Sequence, residues 1–172
     1  MAKKDLLVIE MNNKEDMECF NFREKLKIAQ KPYDYFKEIE NLNFDQLASS
    51  DRIFLQDFGI YNNELNDEEF MLRLRFPAGR ISNNSLLLIS NLAQKYNLQI
   101  ILTARAGIQL HGLDSNNILE VFNQINSQNI SSYQSFGDNI RNITSDIFDG
   151  IGVYNIIEVF PYIEQMQAYI LN

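Results

Sequence analysis

The order strand, amphipathic helix, hairpin, amphipathic helix and short strand between residues 51 and 145 predicts an α+β domain: an antiparallel sheet with two helices on one face. Two observations carry this. In FMLRLRF, Leu72, Leu74 and Phe76 alternate with Arg73 and Arg75. In QIILTARAGIQLHG, the even positions Ile100, Leu102, Ala104, Ala106, Ile108 and Leu110 are apolar, whereas the odd positions from Thr103 onward read Thr103, Arg105, Gly107, Gln109 and His111. Successive side chains of a strand point to opposite faces, so each segment has a core face and a face of hydrogen-bond donors. The element order is that of a split βαβ, ferredoxin-like sandwich with its open face toward the arginines.

The elements follow in turn. Residues 1–50 form an N-terminal helical arm, with EKLKIAQKPYDYFKEIENL as its best helix and Pro32 suited to a first turn. Residues 51–145 form the ferredoxin-like domain and residues 146–172 a C-terminal linker and helix. DRIFLQDFGIY reads as a strand, and NNELNDEE as the turn before EFMLRLRF. Pro77, Ala78 and Gly79 close that second strand. Ser82 is placed to cap SNNSLLLISNLAQKY, whose stripe is Leu86, Ile89, Leu92, Ala93 and Tyr96, and Asn97 ends it. A long strand or hairpin runs from Gln99 to His111, where Gly107 permits a bulge or a close approach. Asp114 or Ser115 caps SNNILEVFNQINSQ, which buries Ile118, Val121, Phe122 and Ile125. A short strand at Tyr133–Phe136 and a glycine turn with a short helix in GDNIRNITS complete the domain. The tail is apolar at helical spacing through Ile163, Met166, Ala168 and Tyr169.

Composition narrows the function. A chain of 172 residues that is 45% hydrophobic, with 12 Phe and 8 Tyr, has the material for a packed core. No apolar run approaches a membrane span and the N-terminus lacks the pattern of a signal peptide, so a cytoplasmic protein without a membrane partner is expected. Cys19 and His111 are the only cysteine and histidine, which rules out an internal disulfide, a thiolate-held cluster or a metal site of the chain's own nitrogen and sulfur ligands. A formal net charge of -8 argues against nonspecific nucleic-acid binding.

Charge is distributed unevenly. From Phe70 to Gly112 there is no acidic residue, while Arg73, Arg75, Arg80, Lys95 and Arg105 all lie inside that window. Half-exposed sheets commonly carry outward charge, but an ordinary solvated face mixes both signs. A face of arginines without carboxylates suits an anion rich in oxygens. An RNA platform, the other ligand of such a sheet, needs exposed aromatic rings, and the outward positions here carry none.

FMLRLRFPAGRIS, then LTARAGIQLHG, then GDNIRNIT resemble three motifs, in order and spacing, of the siroheme-dependent nitrite and sulfite reductases, in the N-terminal half. The similarity covers roughly Asp51 to Leu171. It implies a ferredoxin-like lobe on one side of a siroheme, whose eight carboxylates are met by Arg73, Thr103, Arg105, Gln109 and His111, with Asn139 and Asn142 beside them. It further implies that Arg75 and Arg141 bind nitrite or sulfite at the open face of the iron, in a six-electron reduction to ammonia or sulfide. His111 is expected to contact a carboxylate, since the family's iron ligand is a cluster cysteine.

Intact members of that family continue into a DLPRKFK motif and two cysteine pairs that hold a four-iron four-sulfur cluster. Neither occurs in this sequence. Other members often carry Arg-Gln-Asn where Arg105, Ala106 and Gly107 stand, and a basic residue at the place of Ile101. The expectation is therefore a part of a longer reductase, inactive alone, whose partner is the missing C-terminal half or a second copy in pseudo-symmetric contact. The alternative is a stand-alone anion-binding, tetrapyrrole-binding or interaction module without redox activity. The choice between nitrite and sulfite, and the electron donor, stay open.

Overall fold

The computed structural model describes residues 39–47, 49–62, 68–135, 142–153 and 155–171. The chain divides into two compact units, Met1–Asn41 and Leu42–Asn172. The helix expected from EKLKIAQKPYDYFKEIENL lies almost wholly outside the described residues, as do Cys19 and most of the NNELNDEE turn.

The elements are helix α1 (Ser49–Asp57), strand β1 (Ile60–Asn62), strand β2 (Phe70–Leu74), a 3-10 turn at Pro77–Gly79, helix α2 (Asn83–Tyr96), strand β3 (Gln99–Leu102), strand β4 (Ile108–Leu113), helix α3 (Ile118–Ser127) and helix α4 (Phe160–Leu171). The strands form one antiparallel sheet in the order β1-β2-β4-β3. This is the α+β architecture expected, and register sets its two faces. Ile60, Leu72, Leu110 and Ile100 align across the sheet on one face, and Arg73, Gln109 and Ile101 align on the other.

The first face carries the core. Ile60, Leu72, Leu74, Ile108 and Leu110 are buried together with Ile89 and Leu92 of α2 and with Ile118, Val121, Phe122 and Ile125 of α3. Each large side chain so buried contributes about 1.5–3 kcal/mol. Phe58 ties the α1 end to this core by ring contacts with Phe122 at 6.5 Å and Tyr133 at 5.4 Å. Helix α2 begins as expected: Ser82 Oγ accepts from the Ser85 N–H at 3.0 Å. It ends at Asn97 in the left-handed region, φ 54° and ψ 44°. Ser82→Ala removes the cap and is expected to cost about 1 kcal/mol, read as a lower urea midpoint with an unchanged slope. Before α3, the Asp114 carboxylate accepts from the Asn116 and Asn117 N–H groups at 2.9 and 3.0 Å.

Several expectations are corrected. DRIFLQDFGIY is a helix followed by a three-residue strand, because Phe54, Leu55 and Phe58 bury at helical spacing and the Phe54 and Phe58 rings meet at 5.1 Å. No strand forms at Tyr133–Ser135, where the chain turns, and Phe136 lies outside the described residues. The edge of β2 is shared instead. β1 pairs with Phe70–Leu72, and beyond it the Arg75 N–H donates to Ser131 O at 2.8 Å. Ile100 and Leu102, expected in the core, are 40% and 77% exposed, because β3 is the sheet edge. Leu86 is 51% exposed and drops out of the α2 stripe. Asn142–Ser145 have no regular structure, and the rest of the glycine turn lies outside the described residues.

The tail folds as the α4 helix with Ile163 buried, while Met166, Ala168 and Tyr169 are exposed. Among the described residues no helix is long and apolar enough to cross a membrane.

Candidate oxyanion and polycarboxylate site

The open sheet face ends in a shallow cleft lined by Arg73, Leu74, Arg75, Thr103, Arg105, Gly107, Ser135 and Asn142. Four chain segments meet there: the end of β2, the turn between β3 and β4, the crossing segment at Ser131–Ser135, and the segment that begins at Asn142. Among the described residues no carboxylate lines it.

Arg73 is held by register, opposite Gln109 on β4. The Gln109 amide satisfies both neighbours when its oxygen accepts from Arg73 Nη2 at 2.7 Å and Nε at 3.2 Å, and its nitrogen donates to His111 Nε2 at 3.0 Å. Arg73, Gln109 and His111 therefore form one hydrogen-bonded row along the open face, which fixes the guanidinium plane. On the other edge the Arg73 N–H donates to Gly59 O at 2.8 Å and its carbonyl accepts from Ser135 Oγ at 2.8 Å.

Arg75 extends β2 by one residue and is 2% exposed. Its Nη2 donates to Gln134 O at 2.9 Å. Burial pushes its guanidinium down to about 10, so it remains a cation at neutral pH in a setting that favours an anionic neighbour.

Thr103–Gly107 is a closed turn and not a strand, which corrects the alternation read across it. The Thr103 N–H donates to Gly107 O at 2.9 Å, the Ala106 N–H to Thr103 O at 3.0 Å, and the Gly107 N–H to Thr103 Oγ1 at 3.1 Å. Ala106 takes φ 55°, and a Cβ on Gly107 would stand 2.9 Å from Leu74 O. That is the close approach expected of Gly107, and it lets the turn press against the end of β2. Arg105 sits at the exposed tip, and among the described residues its guanidinium has no hydrogen-bond or ion-pair partner. Asn142 Nδ2 donates to Phe76 O at 2.6 Å, Arg105 O at 2.9 Å and Ala106 O at 3.3 Å.

The other two cations of the basic window are spent internally. Arg80 donates to Glu158 Oε1 at 2.9 Å and to Asp149 O at 2.8 Å, and its guanidinium lies 4.2 Å from the Phe160 ring centroid. Asp149 in turn accepts from the Val159 and Phe160 N–H groups at 2.8 and 2.9 Å, which caps α4. Arg80 is thus a fastener between the Pro77–Gly79 turn and the C-terminal segment. Lys95 pairs with Glu120 at 2.8 Å on the surface, and that hydrogen bond raises the ammonium and lowers the carboxyl from their ordinary values.

Of the residues singled out from sequence, Arg73, Arg75, Thr103, Arg105 and Asn142 converge on the cleft, and Gln109 and His111 stand in line behind Arg73. Asn139 and Arg141 lie outside the described residues. Ser135 was not foreseen. It reaches the cleft through a turn, whose hydrogen bonds to Arg73 O and Ser132 O leave no periodic trace in the sequence.

Residues 63–128 match the family described as nitrite/sulfite reductase ferredoxin-like half domain. Over this stretch the chain is similar to the ferredoxin-like half domain of the nitrite and sulfite reductases. Among its relatives, the ferredoxin–nitrite reductase of Leptolyngbya laminosa is 27% identical over 157 residues, which cover 87% of this chain and 30% of that protein. The sulfite reductase [NADPH] hemoprotein beta-component of a Paenibacillus species is 33% identical over 97 residues, 52% of this chain and 17% of that protein. The half-domain fold is similar to the solved structure of the Mycobacterium tuberculosis NirA protein, with a TM-score of 0.73 at 21% identity, covering 87% of this chain and 32% of the other. The chain thus spans about 30% of the length of the first nitrite reductases it matches.

Proposed function

We propose that this chain is the lobe of a nitrite or sulfite reductase that grips siroheme carboxylates and the substrate oxyanion. The convergence of Arg73, Arg75 and Arg105 on one cleft, with no carboxylate among its described lining residues, is the observation that carries this reading.

The donor set fits such a guest. A guanidinium matches a carboxylate through two parallel N–H bonds, and Arg105 has its donors uncommitted among the described residues. Thr103 Oγ1 accepts from the Gly107 N–H, which leaves its own O–H to donate. Arg73, its guanidinium oriented by Gln109, and Arg105 on the turn would hold carboxylates, with His111 fixing Gln109 from behind. Siroheme, when bound, supplies the iron at which a six-electron reduction takes place. Arg75, together with Arg141, binds the substrate oxyanion and stabilises charge on its oxygens. Neither is a proton donor, because a guanidinium is too weak an acid. On this reading turnover requires the iron–sulfur part that the family carries elsewhere in a longer chain, so the 172 residues are inactive alone.

The burial of Arg75 gives a pH dependence with a defined sign. A bound anion favours the charged guanidinium, so affinity is flat below the Arg75 value of about 10 and falls as pH rises through it. Titrating sulfite between pH 8 and about 11 reads this; affinity that is constant across the range would remove Arg75 from the anion site. The cofactor reading is tested by co-expressing the chain with siroheme synthesis. The purified protein is expected to show tetrapyrrole absorption bands, and a colourless protein would count against it.

A further inference from the structure

We infer that Asn142 is a positioning residue that clamps the Thr103–Gly107 turn to the end of β2 and so aims Arg105, and that it does not itself contact the bound anion. The inference rests on the polycarboxylate reading of the cleft. A primary amide has two N–H protons, and Asn142 Nδ2 already faces three carbonyls, Phe76 O at 2.6 Å, Arg105 O at 2.9 Å and Ala106 O at 3.3 Å. No donor is left for a carboxylate. Its Oδ1 is buried with no hydrogen-bond partner among the described residues, and an acceptor there repels an anion.

The bonds join parts of the chain far apart in sequence. Phe76 lies just past the end of β2, Arg105 and Ala106 form the tip of the turn, and Asn142 lies 36 residues beyond Ala106. Within the turn the N–H to O bonds tie only Thr103, Ala106 and Gly107 to one another. The Arg105 carbonyl is therefore fixed from outside, by Asn142. An exposed guanidinium on a long flexible stem reaches a defined point only if its backbone is held, and small misplacement of a binding group is costly.

The test titrates the full chain with uroporphyrin, an octacarboxylic tetrapyrrole, followed by fluorescence. Asn142→Ala is expected to weaken binding about ten-fold in wild type and in an Arg73→Ala background, but less than about two-fold once Arg105 is already Ala. Asn142→Leu, nearly the same size without the donor, is expected to behave alike and carries the test if the Ala variant does not fold. A loss that adds in full to that of Arg105→Ala overturns the inference, because Asn142 would then act independently of Arg105. So does unchanged binding in both Asn142 variants when Arg105→Ala weakens it. Equal binding by wild type and Arg105→Ala defeats the polycarboxylate reading itself. The clamp is then judged by amide 15N relaxation at Ala106 and Gly107, and motion in Asn142→Leu equal to that of wild type overturns it.

Discussion

Arg105→Ala is expected to weaken the binding of uroporphyrin to this half domain by about ten- to a hundred-fold, the value of a charge-assisted, two-pronged hydrogen bond lost from one side only. The reasoning is local. Arg105 stands at the tip of a turn whose backbone is closed by Thr103 and Gly107, and among the described residues its guanidinium spends no donor on the protein. Arg73→Ala should cost a similar factor and also free Gln109, whose oxygen accepts from Arg73 at 2.7 and 3.2 Å. Arg80→Ala is the internal control. Its charge is satisfied by Glu158 and Asp149 at 2.9 and 3.4 Å, so its removal should loosen α4 and leave the affinity within about two-fold. Titration at two salt concentrations sharpens the comparison, because added salt screens a partly exposed guanidinium such as Arg105 more than a buried one such as Arg75.

The largest stability effect is expected at Gly59. Its φ of 78° is a conformation that L side chains rarely adopt, and an added Cβ would lie 2.5 Å from Ser132 O, 2.5 Å from Ser135 Oγ and 2.7 Å from Arg73 O. Two of these are backbone oxygens, one on β2 and one on the crossing segment. Neither can rotate away. Gly59→Ala must therefore push β2 from the Ser131–Ser135 segment or break the hydrogen bond from the Arg73 N–H to Gly59 O. A cost on the order of 3 kcal/mol is expected, read as a fall of roughly 1–2 M in urea midpoint. Because Arg73 and Ser135 both line the cleft, the same substitution should lower uroporphyrin affinity in whatever protein remains folded. An unchanged midpoint would mean that β1 and the crossing segment do not brace the site.

The legible parts of this fold were those in which one strong period ran unbroken. Ser82, the Ile89, Leu92 and Ala93 stripe and Asn97 define α2 from end to end, and Ile118, Val121, Phe122 and Ile125 define α3, because a buried helix face repeats at 3.6 residues. Arg73 and Gln109 were readable as a shared face for the same kind of reason, the period of two. DRIFLQDFGIY was not. Its apolar residues satisfy both periods over so short a stretch, and only the packing of Phe54 and Phe58 decides for a helix.

Arg105 teaches the opposite lesson. Alternation continues through Ala104 and Ala106 although the chain there is a turn, so the residue was placed at the cleft by a pattern that does not describe its backbone. Arg80 counts among the cations of the acid-free window, but its neutralising partners, Asp149 and Glu158, lie 69 and 78 residues away. Sequence-local charge counting does not see such pairs. The same distance hid the role of Asn142, whose motif placed it near the site while its hydrogen bonds run to the protein.

Arg73, Arg75 and Arg105 are expected to face one guest, and side-chain 15N–1H spectra of the full chain titrated with uroporphyrin test this most directly. The prediction is that the Nε–H resonances of those three arginines move together with a single dissociation constant, while that of Arg80 stays in place. Movement of Arg80 alone, or of the three with unrelated affinities, would contradict it.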